Sequence, residues 1–468
     1  MKFDIKEEHL IIKPYKSQTS VYVREQKGFY QKIRRYINWL LMLAFIAMPF
    51  VQFNDQQAVL LDVVKQEFRI FNLTFWPQDF ILLAGIFMVA AFALFFITTW
   101  LGRVWCGYVC PQTVWTLAYV WVEHRIEGTR NKRMALDRAP WTLTKAYKKT
   151  LKHSIWQLMS LVTATTFISY FVPVSELYST MLTFDWSGAV TFWVLFFALA
   201  TYANAGWMRE HVCIHLCPYS RFQSAMFDKN TLMVAYDATR GETRGPRKRS
   251  DDRQTLKDDK GLGDCVDCNL CVDVCPAGID IRNGIQYECI NCGLCIDACD
   301  QTMEKFNYPK GLISYTSEQQ LAGKETKRFN LKLVSYGSLS LLFIILLGIW
   351  IEGRIPLEAN IIRDRTALYR VNFEGVVENT YTLKILNKSQ VPLHFNIDVD
   401  NLVNTQSTLT LTLPKKVLIG AGVMQEIPVT LAIDGYELKK KITHFNFIIQ
   451  AIEQPDIVLQ KNTVFFRN

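Results

Sequence analysis

The cysteines between residues 265 and 299 fall twice into the spacing C-x2-C-x2-C-x3-C. Pro276 follows the first run and completes the bacterial ferredoxin signature, whereas Asp300 stands at the equivalent position of the second run. In two-cluster ferredoxins, three thiolates of one run bind one cluster and the fourth cysteine binds the other. The spacing therefore predicts two [4Fe-4S] clusters. The ligands predicted for one are Cys265, Cys268, Cys271 and Cys299, and those for the other are Cys289, Cys292, Cys295 and Cys275.

Structural zinc and disulfides are the alternatives for this cysteine-rich segment. Zinc ribbons place cysteines in pairs with a longer gap between them, so this even run of thiols fits zinc poorly. Disulfides need an oxidising compartment, and the topology predicted below puts the segment in the cytoplasm. Iron–sulfur ligation is therefore the favoured interpretation.

A second set of cysteines repeats the pattern C-x3-C-P, first at Cys106 and Cys110 and again at Cys213 and Cys217. An i, i+4 pair places both sulfurs on one face of a helix, so two such faces can supply four thiolates. Thiolates favour copper(I), zinc or iron–sulfur centres over hard cations. Free cysteine is also a common buried residue, but the duplicated spacing favours a redox or metal-binding role.

Each second cysteine of these pairs precedes a proline, Pro111 or Pro218. Proline disfavours helix at the residue before it and is well placed at the start of a helix. We therefore expect each second cysteine to lie where one helix ends and another begins.

Three histidines near these cysteines are weaker candidates for a metal site. His211 and His215 are offset by two residues from the second pair, which is about 200° around a helix, so they would point away from the thiols. Together with His124, they are interpreted as hydrogen-bonded structural groups at the membrane edge.

Five apolar stretches approach the roughly 20 residues that a bilayer core requires. They lie at 36–53, 80–101, 155–172, 188–207 and 331–351. A hydrophobic fraction of 50% is high for a soluble protein and agrees with this interpretation. We predict an α-helical membrane domain with about five transmembrane helices in a multi-domain integral membrane protein.

The distribution of lysine and arginine predicts the orientation of these spans. The segment after the second span carries nine basic residues between 125 and 152, whereas residues 173–187 carry none. The positive-inside rule places the N-terminus, the 102–153 loop and the 208–330 region in the cytoplasm, and the C-terminus beyond the inner membrane. The net charge of +9 then needs no nucleic-acid partner, and the basic run at 244–249 is interpreted as a cytoplasmic loop near anionic headgroups.

The last part of the chain has a different character. From residue 357 onward it lacks cysteine and shows short alternating apolar runs at 381–386, 391–397, 408–413, 427–433 and 445–452. This pattern is typical of an immunoglobulin-like β-sandwich. The predicted division is an N-terminal cytoplasmic segment 1–35, a membrane domain 36–227, a ferredoxin domain 228–330, a fifth membrane helix 331–351 and a periplasmic β-domain 357–468.

The order of these parts, with WCGYVCPQT at 105–113, resembles the family of cytochrome c oxidase accessory proteins called CcoG, FixG or RdxA. The likeness covers nearly the whole chain, and Asp300 in place of proline leaves all cluster ligands present. The resemblance implies a cupric reductase that converts Cu(II) to Cu(I) during assembly of cbb3-type cytochrome oxidase. It also implies that Cys106, Cys110, Cys213 and Cys217 reduce or bind copper, and that the clusters supply them with electrons.

Two other functions stay open at this point. Membrane ferredoxins with C-x3-C-P motifs also serve quinol-linked reductases, so the chain could carry electrons between a cytoplasmic donor and the quinone pool. Alternatively, it could be a non-enzymatic oxidase assembly factor. The expected partners are the membrane, oxidase subunits or copper-delivery proteins, and an unidentified cytoplasmic electron donor.

Overall fold

The structure is a computed structural model that describes residues 21–53, 56–71, 73–183, 188–249, 251, 253–286, 288–326, 330–364, 367–373, 375–400, 410–412, 416–434 and 441–467. Residues 1–20 of the predicted segment 1–35 lie outside the described residues. The chain divides into two compact units. One comprises Met1–Leu61 with Leu82–Ile345, and the other comprises Asp62–Ile81 with Leu346–Asn468.

Helices dominate the chain up to residue 352. They are α1 (Phe29–Ala47), α2 (Phe80–Leu101), α3 (Val104–Tyr108), α4 (Pro111–Ile126), α5 (Arg130–Arg138), α6 (Leu143–Ile168), α7 (Val174–Thr183), α8 (Gly188–Thr201), α9 (Pro218–Met226), α10 (Ala238–Gly241), α11 (Arg253–Lys260), α12 (Leu270–Asp273), α13 (Leu294–Lys305), α14 (Glu318–Leu321) and α15 (Leu331–Glu352). Short 3₁₀ turns span Met48–Phe50, Pro77–Asp79 and Ile281–Asn283, and π-helical segments span Tyr202–Met208 and Val212–Leu216. The strands of this part are β1 (Gln52–Phe53), β2 (Gln56–Gln57), β3 (Val59–Asp62), β4 (Glu67–Ile70), β5 (Leu73–Phe75), β6 (Met233–Tyr236) and β7 (Ile313–Thr316).

Four helices of the described chain are long and apolar enough to cross a membrane. They are Phe29–Phe50, Ile81–Leu101, Gly188–Met208 and Leu331–Glu352. Each coincides with a predicted span. Between 6% and 17% of the most apolar window of each helix is buried inside the protein, so most of these apolar side chains remain available to lipid.

The predicted span at 155–172 is not among these four helices. It falls in the second half of α6, whose first half contains Lys145, Lys148, Lys149 and Lys152. Thr142 caps the start of α6 by accepting a hydrogen bond from the backbone N–H of Lys145 at 3.2 Å. The lysines, together with threonines in the second half, make α6 more polar than the other candidate spans.

The cysteine-rich segment is flanked in the sequence by two strands that pair in antiparallel fashion. Strand β6 comes before the segment and pairs with β7 after it, with Met233 opposite Thr316 and Tyr236 opposite Ile313. Val234, Ile281, Ile296 and other buried apolar residues form a core together with Cys265 and Cys271. Thiols are thus part of the packing of this region.

The C-terminal region is a two-sheet β-structure, as the alternating pattern predicted. Its strands are β8 (Leu357–Arg363), β9 (Arg370–Val371), β10 (Val376–Asn387), β11 (Leu393–Asp400), β12 (Thr410–Thr412), β13 (Val417–Ile419), β14 (Met424–Asp434), β15 (Ile442–Ala451) and β16 (Val458–Phe466). One sheet has the order β12-β14-β10-β8, with β9 beside β10, and the other has the order β13-β11-β15-β16. The predicted run at 408–413 is described only at 410–412, which form β12.

The core of this region follows from strand alternation. In β10 every second side chain is buried from Val377 to Ile385, and β15 buries Phe445, Phe447 and Ile449 in the same way. Apart from Asn379, these inward-facing residues join one apolar cluster. Alternate residues of a strand point to opposite faces of the sheet, so each sheet presents one apolar face to this core.

Candidate redox site

The two cysteine runs of the ferredoxin segment use the same backbone geometry. Asp267 and Asn291 have positive φ angles of 51° and 52° at equivalent positions. Two residues further along each run, Asn269 and Gly293 also have positive φ, at 56° and 74°. Asp, Asn and Gly tolerate this left-handed conformation, which turns the chain between cysteines and lets successive thiols face a common space.

Cys299 lies among the first three cysteines of the other run. Burial raises the pKa of Cys299, and the neighbouring charges of Cys271, Cys265 and Cys268 raise it further. These four side chains are the set predicted for one cluster.

Cys275 lies with the second run in the reciprocal arrangement. Burial raises the pKa of Cys275 to about 12, and Cys292 and Cys289 are the neighbouring thiols that contribute to the increase. The thiols that raise the pKa of Cys295 include Cys292, Cys289 and Cys275 itself. The structure therefore brings the second predicted set together as well.

The space between these thiols fits an iron–sulfur cluster. Cys271, Cys275, Cys289, Cys292 and Cys295 line a small cavity, and its remaining walls include Val234, Ile279, Ile281 and Leu294. Soft thiolates in an apolar enclosure suit iron–sulfur chemistry. No three His, Cys, Asp or Glu side chains of the described residues are grouped so as to hold a single metal ion. A [4Fe-4S] cluster would not need thiols grouped so closely, because its own iron and sulfide atoms would occupy the space between them.

The first C-x3-C-P segment packs directly on the second cysteine run. A Cβ at Gly107 would lie 2.6 Å from the carbonyl oxygen of Ile290 and 3.1 Å from Cα of Cys292. Only glycine permits so close an approach of two backbones. The hydroxyl of Tyr108 also donates a hydrogen bond to the carbonyl oxygen of Cys292 at 3.1 Å.

A new helix begins at the proline that follows each second cysteine, as predicted. Cys110 has extended backbone angles between α3 and α4, and α4 begins at Pro111. Cys217 is likewise extended, and Pro218 begins α9. The segment before Cys217 is π-helical, with the N–H of Cys217 donating to the carbonyl oxygen of Val212. Such wide turns are often found at functional sites.

The four thiols of the two segments are near neighbours in the fold. Burial raises the pKa of Cys106 to about 12, and the charges of Cys110, Cys213 and Cys217 contribute to the increase. Burial also raises the pKa of Cys213 to about 12, with Cys110 and Cys217 as contributing neighbours. Cys106 and Cys213 are thus protonated at neutral pH, and a bound soft metal would displace their protons.

Arg103 links this thiol group electrostatically to the ferredoxin segment. Its side chain is 4% exposed, and it donates a hydrogen bond to the backbone carbonyl of Ser220. Its positive charge opposes the pKa increases of Cys106, Cys213 and Cys289. One buried cation therefore favours the thiolate form at both cysteine groups, a role that sequence reasoning did not identify.

A buried ionic cluster holds the start of the second thiol segment. Glu123 is 6% exposed, and its carboxylate accepts from Arg209 at 2.8 Å and from Arg133 at 2.7 Å. Burial raises the pKa of Glu123, but the charges of Arg209, Lys152 and Arg133 outweigh it and hold the pKa below its usual value. Arg209 has a φ of 41° and stands at the bend between the two π-helical segments.

The histidines near the thiols have other contacts. His211 and His215 stack on each other, with ring centroids 5.8 Å apart. Nε2 of His124 lies 3.0 Å from the carbonyl oxygen of Val23. His124 thus has the hydrogen-bond partner expected of a structural group, whereas the contact of His211 and His215 is ring stacking.

Comparison with known proteins gives two domain matches. Residues 208–318 match a family described as a 4Fe-4S dicluster domain. Residues 347–468 match a family described as an IG-like fold at the C-terminal of FixG.

Similar proteins cover most of the chain. Nitrogen fixation protein FixG of Rhizobium meliloti is 35% identical over 80% of this chain and 78% of its own length. Protein RdxA of Cereibacter sphaeroides is 36% identical over 82% of this chain and 83% of its own length. A crystal structure of a FixG-related protein from Vibrio parahaemolyticus is 28% identical, covers 24% of this chain and 97% of that one, and has a TM-score of 0.21.

Proposed function

Because the chain belongs to the FixG/RdxA family of iron–sulfur oxidoreductases, we propose that it reduces Cu(II) to Cu(I) for assembly of cbb3-type cytochrome c oxidase. One observation carries this proposal. The thiols of both C-x3-C-P segments are mutual neighbours, and the first segment packs on the second cysteine run of the ferredoxin segment.

The assignment of site residues follows this arrangement. Two [4Fe-4S] clusters would be held by the two crossed cysteine sets, and bound clusters supply one electron at a time. Cys106, Cys110, Cys213 and Cys217 would receive copper as the substrate. Copper would draw these neighbouring thiols together, because no three metal-ligating side chains of the described residues are already grouped to hold one ion. Thiolate sulfur favours Cu(I), so this ligand set stabilises the product of the reduction.

Other residues position the thiols. Gly107 and Tyr108 hold the first segment against the backbone of Cys292, which keeps the donor and acceptor groups close. The buried charge of Arg103 favours the thiolates that copper requires. Gln223, only 1% exposed, accepts from Sγ of Cys106 at 3.7 Å and orients that thiol.

The proposed placement in the cell rests on the basic loops. We place the N-terminal segment 1–35 and the ferredoxin domain 228–330 in the cytoplasm, with the membrane domain 36–227 and helix 331–351 in the inner membrane. With residues 155–172, in the second half of α6, as a further crossing beside the four apolar helices, the β-domain 357–468 would face the periplasm. There it could contact oxidase subunits or copper-delivery proteins.

A single-turnover assay tests the copper proposal. The protein is purified anaerobically, its clusters are reduced with dithionite, excess reductant is removed, and Cu(II) is added with a chromogenic Cu(I) chelator. We expect Cu(I) to form as cluster absorbance returns to the oxidised level. A variant with alanine at all four membrane-edge cysteines should keep both clusters and lose Cu(I) formation.

The nearby imidazoles provide a matched control. A H211A/H215A variant should reduce copper at the wild-type rate, since these rings contact each other. Copper reduction that survives loss of all four thiols would overturn the assignment.

Two alternatives have distinct outcomes in the same assay. Reoxidation of the clusters by a quinone, with no reaction toward copper, would favour an electron carrier linked to the quinone pool. Inertness toward both acceptors would favour a non-enzymatic assembly factor.

A further inference from the structure

A cavity lies beside both cysteine groups on the membrane-helix side of the protein. Its walls come from α1, α4, the second thiol segment and the ferredoxin segment, and they include Cys213, Pro276 and Ile290. The volume is about 220 Å³. Engineered protein cavities of about 150 Å³ hold benzene, so this one has room for a substituted six-membered ring.

Two residues of the cavity wall each carry a buried polar atom without a hydrogen-bond partner. Nη1 of Arg34 is buried and has no hydrogen-bond partner, although Nε of the same side chain donates to the carbonyl oxygen of Gly107 at 2.9 Å. Oε1 of Gln31 is also buried without a partner. Both residues line the cavity, and Arg34 is only 1% exposed. An unsatisfied buried polar group costs about 1–3 kcal/mol, so a ligand that satisfies both groups gains binding energy.

The two free groups specify the chemistry of that ligand. Arg34 offers a donor, and Gln31 offers an acceptor. A phospholipid phosphodiester carries acceptors only, whereas a hydroquinone hydroxyl can both accept from Arg34 and donate to Gln31. The remaining walls include Trp39, Met42 and Leu117, which suit an apolar ring and its tail, together with charged side chains such as Arg35 and Arg209.

The rim of the cavity is suited to a lipid-soluble molecule. Trp39 on α1 and Trp121 on α4 line the cavity and are 53% and 48% exposed. Helix α1 lies within the candidate span Phe29–Phe50. Exposed tryptophans are typical of the membrane–water interface, so these two side chains mark the part of the cavity wall that a ligand from the bilayer would meet first.

We propose that this cavity binds the headgroup of a membrane quinol, which serves as electron donor to the ferredoxin segment. Oxidation of one quinol to quinone releases two electrons and two protons. Each of the two [4Fe-4S] clusters accepts one of the electrons, and the protons pass to the exposed carboxylate of Glu25 at the cavity wall and then to solvent. The inference rests on the proposed function only in taking the clusters as electron acceptors.

Binding can be tested without copper. The cluster-loaded full-length protein is titrated with the fluorescent quinol analogue 2-heptyl-4-hydroxyquinoline N-oxide, and quenching of its fluorescence reports binding. We expect saturable binding that Gln31→Met weakens about tenfold, the size of one lost hydrogen bond to a buried group. Gln320→Met should leave affinity unchanged, because Gln320 is exposed on α14 and is not part of the cavity wall.

The same protein tests the redox step. Menadiol added anaerobically should produce the electron paramagnetic resonance signal of reduced clusters, and Gln31→Met should slow its appearance. Absence of saturable analogue binding, or equal affinity in both variants, would overturn the proposal. Displacement of the analogue by phosphatidylglycerol, with no effect of Gln31→Met, would identify a phospholipid site instead. A protein that binds the analogue but does not reduce copper would contradict the proposed function alone.

Discussion

The two C-x3-C-P segments share their cysteine spacing but differ at every position between the cysteines. Gly107 in the first segment corresponds to Ile214 in the second, and Tyr108 corresponds to His215. Gly107 and Tyr108 are buried against the cysteine-rich loop, whereas His215 is exposed. The first segment is fixed by backbone contact with the ferredoxin segment, and the second is anchored by the ionic cluster around Glu123. The same cysteine spacing is thus held in place by different contacts in the two segments.

The largest expected effect comes from removing the backbone contact of the first segment. Gly107→Val would place side-chain atoms against the carbonyl of Ile290 and the backbone of Cys292, which cannot yield without moving a cluster-binding loop. We expect the iron content to fall from about eight to about four atoms per chain, as one of two [4Fe-4S] clusters is lost.

Iron analysis and electron paramagnetic resonance measure this loss. Ile214→Val, at the equivalent position of the second segment, is the matched control and should keep both clusters. A Gly107→Val protein with full iron content would show that the contact is dispensable.

The second segment should respond to loss of its ionic anchor. Glu123→Gln leaves Arg209 and Arg133 without their buried carboxylate, and breaking such a pair typically costs about 3–5 kcal/mol. We expect a lower free energy of unfolding in detergent and slower copper reduction, with the iron content unchanged. Glu304→Gln, which removes an exposed partner of Lys310, should change stability by less than about 1 kcal/mol.

The pH dependence of stability should identify the same carboxylate. The folded-state pKa of Glu123 is lowered, so its contribution is fully present above about pH 4.3, the ordinary value for glutamate. That contribution is lost as pH falls through the lowered pKa. The stability difference between wild type and Glu123→Gln should therefore be constant from pH 6 to about pH 5 and narrow in more acidic buffers. A difference that does not change with pH would assign the effect to packing.

The smallest effect is expected at Tyr108. Tyr108→Phe keeps the ring and removes the hydrogen bond to the carbonyl oxygen of Cys292, which should cost about 1 kcal/mol. We also expect a shift in the reduction potential of the cluster held by this loop, because hydrogen bonding around a cluster tunes its potential. His215→Phe should alter neither quantity. Unchanged potentials in both variants would limit the Tyr108 hydroxyl to a structural role.

Local sequence signals anticipated much of this architecture. Cysteine spacing predicted which thiols would share a cluster, and Cys299 and Cys275 do lie beside the cysteines of the opposite runs. Pro111 and Pro218 mark the helix starts because proline fits the first turn. Strand alternation likewise indicated the C-terminal β-structure.

Long-range contacts were not predictable from such signals. Arg34 meets Gly107 across 73 residues, and Glu123 meets Arg209 across 86. Arg34 lies just before the predicted span at 36–53, where a basic residue indicates orientation first, and nothing local indicated that it is buried. The π-helical turns before Cys217 also escaped prediction, since their sequence resembles an ordinary apolar helix.

Under the proposed function, two differently held segments supply one copper site. Single-turnover Cu(II) reduction by the pre-reduced protein tests it most directly, with C106A/C110A compared with C213A/C217A and iron content measured in both. The account predicts that each pair variant retains its clusters and loses Cu(I) formation to the level of the four-cysteine variant. Wild-type copper reduction in either pair variant would contradict a shared site.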